Sequence, residues 1–347
     1  MSRPQFFSHL AAFRGLAIIT IVAAHSWSFS LFWTGGLNGP WLPELFWTTE
    51  VLFHGSTLYF AVLSGLLYSL VLHQKTWPSF FKGKLFNVVM PYIVVSIAVT
   101  AMFWPWTEQG TTESSFFIVT GINLLTGNAM IHFWYMLMLA FLFVITPLLA
   151  LCMRHPRYHW FLIVLALLPM FISRSPFPDF LKPQSFVYFT GAYAFGILWG
   201  VFYHQWQDKL AKWRPALLLL TASASIGLWF TYYSNMPQEG LFSVRQSLVY
   251  VQKLAIMLIV VPWLANKSQP RWLLSLGEYA FAIYFLHVLF IAQILIPLNE
   301  WLSEHRDPLI IGGIGLSNLV VGVTGAFIAA WMIRRLVGKR SRMLIGV

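Results

Sequence analysis

Ten stretches of this chain are each long and apolar enough to lie across a lipid bilayer, and nothing else in the sequence narrows the fold as much. A helix needs about 20 largely apolar residues to cross the hydrocarbon core. Such stretches run near 12–34, 51–73, 86–106, 131–152, 158–173, 185–204, 215–233, 246–264, 279–301 and 309–337. The backbone must satisfy its own polar groups in lipid, so runs of this length are read as helices. The expectation is an all-α, polytopic membrane helix bundle of about ten transmembrane helices, forming one domain over 1–347. Only 10% of the residues are charged, against roughly 25% in soluble domains, which excludes a soluble enzyme, a coiled coil and a disordered chain. The fifth stretch is short and ends at Ser173-Arg174-Ser175-Pro176. Segment 114–126 is apolar but too short to cross, and reads as a half-helix against the bundle.

The formal net charge of +11 would suggest nucleic acid in a soluble protein. Here the basic residues sit in alternate loops, where they encode orientation instead. With the N-terminus in the cytoplasm, sixteen Lys and Arg from Arg3 to Arg342 fall on the inner side. Only Arg174, Lys182, Arg245 and Arg306 fall outside, and Arg14 and Lys253 lie within spans. Both termini are therefore expected in the cytoplasm, with a lipid bilayer rather than nucleic acid as the surrounding partner. The single cysteine, Cys152, excludes an intramolecular disulfide and a cysteine-rich metal site, and no metal is expected. The run from Leu16 to Leu31 is interrupted by His25 and lacks a small-residue cleavage pattern, so it is expected to remain as the first span.

An ionisable residue inside a span is expensive and is a functional candidate by default. Arg14 and His25 are eleven residues apart, three helical turns plus roughly 20°, so they share one helix face about 16 Å apart along the axis. An arginine at the cytoplasmic entrance suits an anionic group such as phosphate. A histidine near mid-membrane can take and return a proton. The alternative is that Arg14 anchors the helix end and His25 hydrogen-bonds a neighbouring helix.

Other polar positions sort by depth. His73, Lys75, Lys82, Lys84, Asn87 and His204 form a basic rim at the inner ends, readable as a polyanion site or as topology signal. Glu50, His54 and His132, with Trp134 and Tyr135, lie at the outer ends, where the aromatics read as interface belt or as part of a sugar site. His287 lies inside the ninth stretch and must face protein or a cavity. Lys253 lies inside the eighth, with a stem long enough to snorkel outward. Ser64-Gly65 reads as a close-packing point between helices. The sequence has no phosphate-binding glycine loop, His-Glu-x-x-His or Gly-x-Ser-x-Gly elbow.

The Arg-x10-His run resembles the signature of membrane acyltransferase family 3, bacterial inner-membrane proteins that O-acylate saccharides and envelope polymers. Phe60-Ala-Val-Leu-Ser64-Gly65 is similar to the family's second-span segment, and Lys82-Gly-Lys84 with Pro91-Tyr92 resembles its lead-in to the third. His132-Phe-Trp134-Tyr135 with Thr146-Pro147, and Tyr284-Phe-Leu-His287, resemble two further segments in the same order. Two departures stand out. The family's Arg-x-x-Arg is Lys84-Leu-Phe-Asn87 here, and its aspartate three residues before the arginine is Ala11. The resemblance is to the single-domain members, so no hydrolase-like domain is expected after the last span.

The resemblance implies that His25 is the essential catalytic residue with Arg14 as its partner near the donor, and that Lys84, His132 and His287 support the site. The donor set expected is Arg14, His73, Lys82, Lys84, Asn87 and His287, taking acyl-CoA, in particular acetyl-CoA, as a co-substrate with no bound cofactor. The acceptor set is Glu50, His54, His132, Trp134 and Tyr135, facing a saccharide or lipid-linked saccharide hydroxyl. His25 acts as general base in a direct transfer, although an acyl-histidine intermediate stays open. The competing readings are a proton-coupled transporter or flippase and a non-catalytic export partner; the oligomeric state is open.

Overall fold

A computed structural model describes residues 7–103, 115–175, 179, 181–237 and 240–347. Arg3 and Pro176, and residues 104–106 and 114 of the expected segments, lie outside the described residues. Among the described residues every regular element is helical. The helices are α1 (Ser8–Phe32), α2 (Leu42–Phe53), α3 (Thr57–Leu70), α4 (Trp77–Lys84), α5 (Met90–Phe103), α6 (Phe116–Thr126), α7 (Trp134–Arg154) and α8 (His159–Leu167). They continue as α9 (Pro183–Val201), α10 (Tyr203–Tyr233), α11 (Val244–Ala265), α12 (Arg271–Glu278), α13 (Ala280–Glu304), α14 (Pro308–Val337) and α15 (Ser341–Ile345). A π-helical turn over Leu85–Val89 joins α4 to α5.

Eight helical segments among these are long and apolar enough to cross a membrane, so the chain is a polytopic helical membrane protein. The ten expected stretches all become helix, but three differ in form. The second, expected as one span over 51–73, is broken at His54-Gly55-Ser56 between α2 and α3. The fifth is only the nine-residue α8 followed by a 3-10 turn at Leu168–Met170, because Pro169 withdraws an amide from the ladder. The sixth, α9, has length enough at 19 residues but is interleaved with tyrosine, serine and glycine. Segment 114–126 is the eleven-residue α6, lying against α5.

Two sets of contacts show which turns share an end of the bundle. His9 Nε2 is hydrogen-bonded to the Tyr203 hydroxyl at 2.6 Å, joining the start of α1 to the α9–α10 turn. Arg14 and Leu72 border one cavity with Arg271 of α12. This is the basic end. At the opposite end Arg306, between α13 and α14, donates to the carbonyl of Thr34 at 2.6 Å and to that of Gly36, closing the chain beyond α1.

Small residues bring α3 and α9 into close backbone contact. A Cβ on Gly196 of α9 would lie 2.1 Å from the Val62 carbonyl oxygen of α3, and one on Gly65 would lie 2.1 Å from that of Tyr193. In lipid, helices associate by such close packing rather than by a hydrophobic drive. Gly196→Leu is therefore expected to abolish monodisperse, cooperatively melting protein in detergent. Gly312→Leu, at a site with nothing within 4 Å, is expected to melt like wild type.

Candidate active site

The break between α2 and α3 is built by glycine and held by side chains from α11. Gly55 has φ of +76°, and a Cβ there would meet Val249 at 2.5 Å, so no other residue fits. A helix that stops inside the bundle leaves carbonyls without amide partners. Lys253, fully buried, donates from Nζ to the Leu52 carbonyl at 3.0 Å, and Gln252 donates to that of Val51 at 3.0 Å. The Ser56 hydroxyl donates to the Phe53 carbonyl at 2.6 Å. Lys253 does not snorkel: its ammonium is consumed by a helix end.

The break turns His54 into a cavity wall. His54 Nδ1 donates to Glu50 Oε2 at 2.8 Å, and Arg174 donates to His54 Nε2. Arg174 Nε also donates to Gln246 Oε1 at 3.3 Å, and the Tyr232 hydroxyl donates to Glu50 Oε2 at 3.1 Å. Glu50 and Arg174 are both buried, and the histidine between them joins an otherwise costly carboxylate to an otherwise costly guanidinium.

Beside this network lies a cavity of about 630 Å³, walled by Phe29, Trp33, Phe46, Phe53 and Trp134 and holding His25 and His132. Three histidines, from α1, α13 and the turn before α7, meet here. His287 is fully buried, and its Nδ1 lies 3.0 Å from the Ile283 carbonyl and 2.9 Å from that of Tyr284. Carbonyls only accept, so Nδ1 carries the hydrogen and Nε2 the lone pair. His25 Nδ1 is 2.7 Å from that Nε2 and must donate to it. With both rings neutral, the lone pair of His25 is left on Nε2, the arrangement of a base oriented by a third group. The His132 ring centroid lies 5.6 Å from that of His25.

Eleven residues back along α1, Arg14 opens into a second cavity of about 260 Å³ at the basic end. Arg14, Lys75 and Lys84 line it together with Ser64, Asn87 and Phe143, and no carboxylate does. Lys84 Nζ sits 4.1 Å from the Phe143 ring centroid. The π-turn begins directly after Lys84, a local register change of a kind that recurs at functional sites. Arg14 also borders a wider cavity of about 760 Å³ against α12. The wall between the His25 and Lys84 cavities is thin. On α3, Thr57 faces one and Phe60 the other; on α13, Tyr284 faces one and Phe281 the other. Three residues of helix span about 4.5 Å. The Phe60 and Phe281 rings meet across this wall at 6.2 Å.

The expected donor residues thus divide. Arg14, Lys84 and Asn87 share the basic cavity, whereas His73 and Lys82 do not line it. His287 is on the far side of the wall, hydrogen-bonded to His25. Of the expected acceptor residues, Glu50, His54, His132 and Trp134 line the larger cavity; Tyr135 is buried behind it against Phe189 and Tyr284. Ser64, read as packing, faces the basic cavity while Gly65 does the packing. The reading of the sequence missed Arg174 and Gln246; the lone arginine between Ser173 and Ser175, in a region poor in basic residues, was the available signal.

An acyltransferase family model, acyltransferase family 3, matches residues 9–335, nearly the whole chain. The chain belongs to this family. No curated protein and no solved structure matches it. The layout of an acyltransferase site is compatible with this geometry: His25, hydrogen-bonded to His287, faces one cavity, Arg14, Lys75 and Lys84 line the next, and α1 carries both His25 and Arg14.

The capped helix break can be tested directly. Lys253→Met keeps the stem and strands the Leu52 carbonyl, which is expected to lower stability by about 1–3 kcal/mol. Thermal unfolding in detergent should show this, with Lys339→Met, an exposed residue, unchanged.

Proposed function

We propose that the protein is an integral-membrane O-acyltransferase that moves an acyl group, acetyl in the first instance, from cytosolic acyl-CoA to a saccharide hydroxyl. The observation that carries this is α1, which presents Arg14 to an acid-free basic cavity and His25 to an aromatic-walled cavity one thin partition away. Phosphates suit the first, where Arg14, Lys75 and Lys84 have no carboxylate to neutralise them. The basic cavity is too small for a whole CoA, so the nucleotide end belongs in the wider cavity beside Arg14 and Arg271, with the thioester arm reaching past Phe60 and Phe281. A sugar suits the second cavity, its C–H faces on aromatic rings and its hydroxyls among polar groups.

The chemistry follows from the relay. The acceptor hydroxyl gives its proton to His25 Nε2 as its oxygen bonds to the thioester carbonyl carbon. The tetrahedral adduct then collapses, the C–S bond breaks, and the proton returns to the leaving thiolate. Such base catalysis typically contributes about 10²–10⁴-fold. The basic end faces the cytoplasm of a bacterial inner membrane in this reading, as the positive-inside pattern favours. The acceptor is a saccharide or a lipid-linked saccharide.

The test uses radiolabelled acetyl-CoA, purified protein in detergent and an extract of envelope saccharides. Label should enter the saccharide fraction with wild type and fall by about 10²-fold or more with His25→Ala. Arg14→Gln should raise KM for acetyl-CoA. No transfer, together with no binding of acetyl-CoA, would overturn the reading in favour of a proton-coupled transporter.

A further inference from the structure

His132 is 2% exposed, and neither of its ring nitrogens has a hydrogen-bond partner. A neutral imidazole has one N–H and one lone pair, and leaving both unmatched in a buried site is costly unless a ligand takes them. The ring is not loosely held. The Tyr284 hydroxyl donates to the His132 backbone carbonyl, and the imidazole lies edge-on to Phe133 and Tyr284 at centroid distances of 4.7 and 5.0 Å. A side chain so firmly placed, and lining the His25 cavity, is built to meet something there.

A second observation gives the sign of that partner. His132 stands immediately before the N-terminus of the 21-residue α7. The N-cap there is Phe133, which has no polar side chain to accept from the first amides, and the first turn holds no acid. The positive end of the helix dipole therefore lies at the cavity with neither a side-chain cap nor an acid beside it, and favours negative charge there. His25 differs on both counts, since its Nδ1 is engaged by His287 and its environment prepares a base.

We propose that His132 is the oxyanion donor of the transfer. As the acceptor oxygen bonds to the thioester carbon and its proton passes to His25, the carbonyl π electrons move onto oxygen. That oxygen accepts a hydrogen bond from the His132 N–H at the head of α7. When the C–S bond breaks, the electrons return to re-form the carbonyl and the bond to His132 relaxes. The inference rests on the acyl-transfer reading and adds a second catalytic residue to it, with a role opposite in electronic sense to that of His25.

The experiment compares wild type, His132→Ala, His132→Gln and His25→Ala with acetyl-CoA and the saccharide fraction that accepts label. Equilibrium acetyl-CoA binding and thermal unfolding are measured on the same samples. An oxyanion donor predicts that His132→Ala loses about 10²–10³-fold in kcat with acetyl-CoA Kd unchanged. His132→Gln, which restores an N–H, should recover about tenfold of that loss. The acidic limb of the pH–rate profile, which reports the base His25, should persist in His132→Gln. Near-normal kcat in His132→Ala overturns the proposal, as does a loss carried by Kd, or a pH profile showing that His132 is the base. If His132→Ala fails to unfold cooperatively, the glutamine variant decides alone, and a kcat as low as that of His25→Ala counts against the role. Absence of transfer by wild type removes the acyl-transfer reading as well, so the two failures are distinguishable.

Discussion

A backbone carbonyl left bare inside a bilayer has no water to turn to, and this site exists because two such carbonyls are satisfied from a neighbouring helix. Lys253 and Gln252 of α11 take the ends of α2 at Leu52 and Val51, which allows the chain to stop, turn through Gly55 and start again as α3. Without that support an unbroken helix would be the favoured state in lipid. The interruption leaves His54 at a cavity wall with Glu50 one turn before it and Arg174 across from it. The cavity holding His25 and His132 is bounded by this irregular backbone, in keeping with the rule that non-helical chain at membrane depth is tolerated where it lines a cavity.

Charge is handled differently on the two sides of the Phe60–Phe281 wall. Glu50, His54 and Arg174 compensate one another, so a ligand entering their cavity meets oriented dipoles rather than net charge. Arg14, Lys75 and Lys84 share theirs with no acidic side chain among the described residues. The substitution of Asn87 for a second arginine in the family pattern leaves this excess in place, since Lys75 also reaches the same cavity. α1 crosses both environments without an internal proline, carrying Arg14 in one cavity and His25 in the other.

Much of this was legible because lipid makes polar residues conspicuous. Arg14 and His25 share one face by helical arithmetic, and His132 and His287 stand out by depth, with family resemblance adding their supporting role. The helix ends escaped because they depend on local geometry. His54-Gly55-Ser56 sits in an apolar run that propensity alone reads as continuous, and only Val249 pressing on Gly55 reveals why glycine is there. Lys253 was read as free to snorkel because its partner is a backbone carbonyl 201 residues away, invisible to any pattern of side chains. His287 is expected among the donor residues, whereas its ring is hydrogen-bonded to His25. The count of crossings was similarly blurred by α8, where Pro169 shortens a helix whose composition is as apolar as its neighbours'.

The Phe60 and Phe281 rings stand where the basic cavity approaches the His25 cavity. Aromatic side chains change rotamer without disturbing the hydrogen bonds of the helices that carry them. Opening a passage for a slender thioester arm therefore asks for no alternation between inward-facing and outward-facing states. On the proposed reading, a chemical group would change sides of the membrane while every solute stayed where it was. Direction would come from which molecule is consumed on each side, and the barrier to ions would be interrupted only while the arm itself plugs the gap.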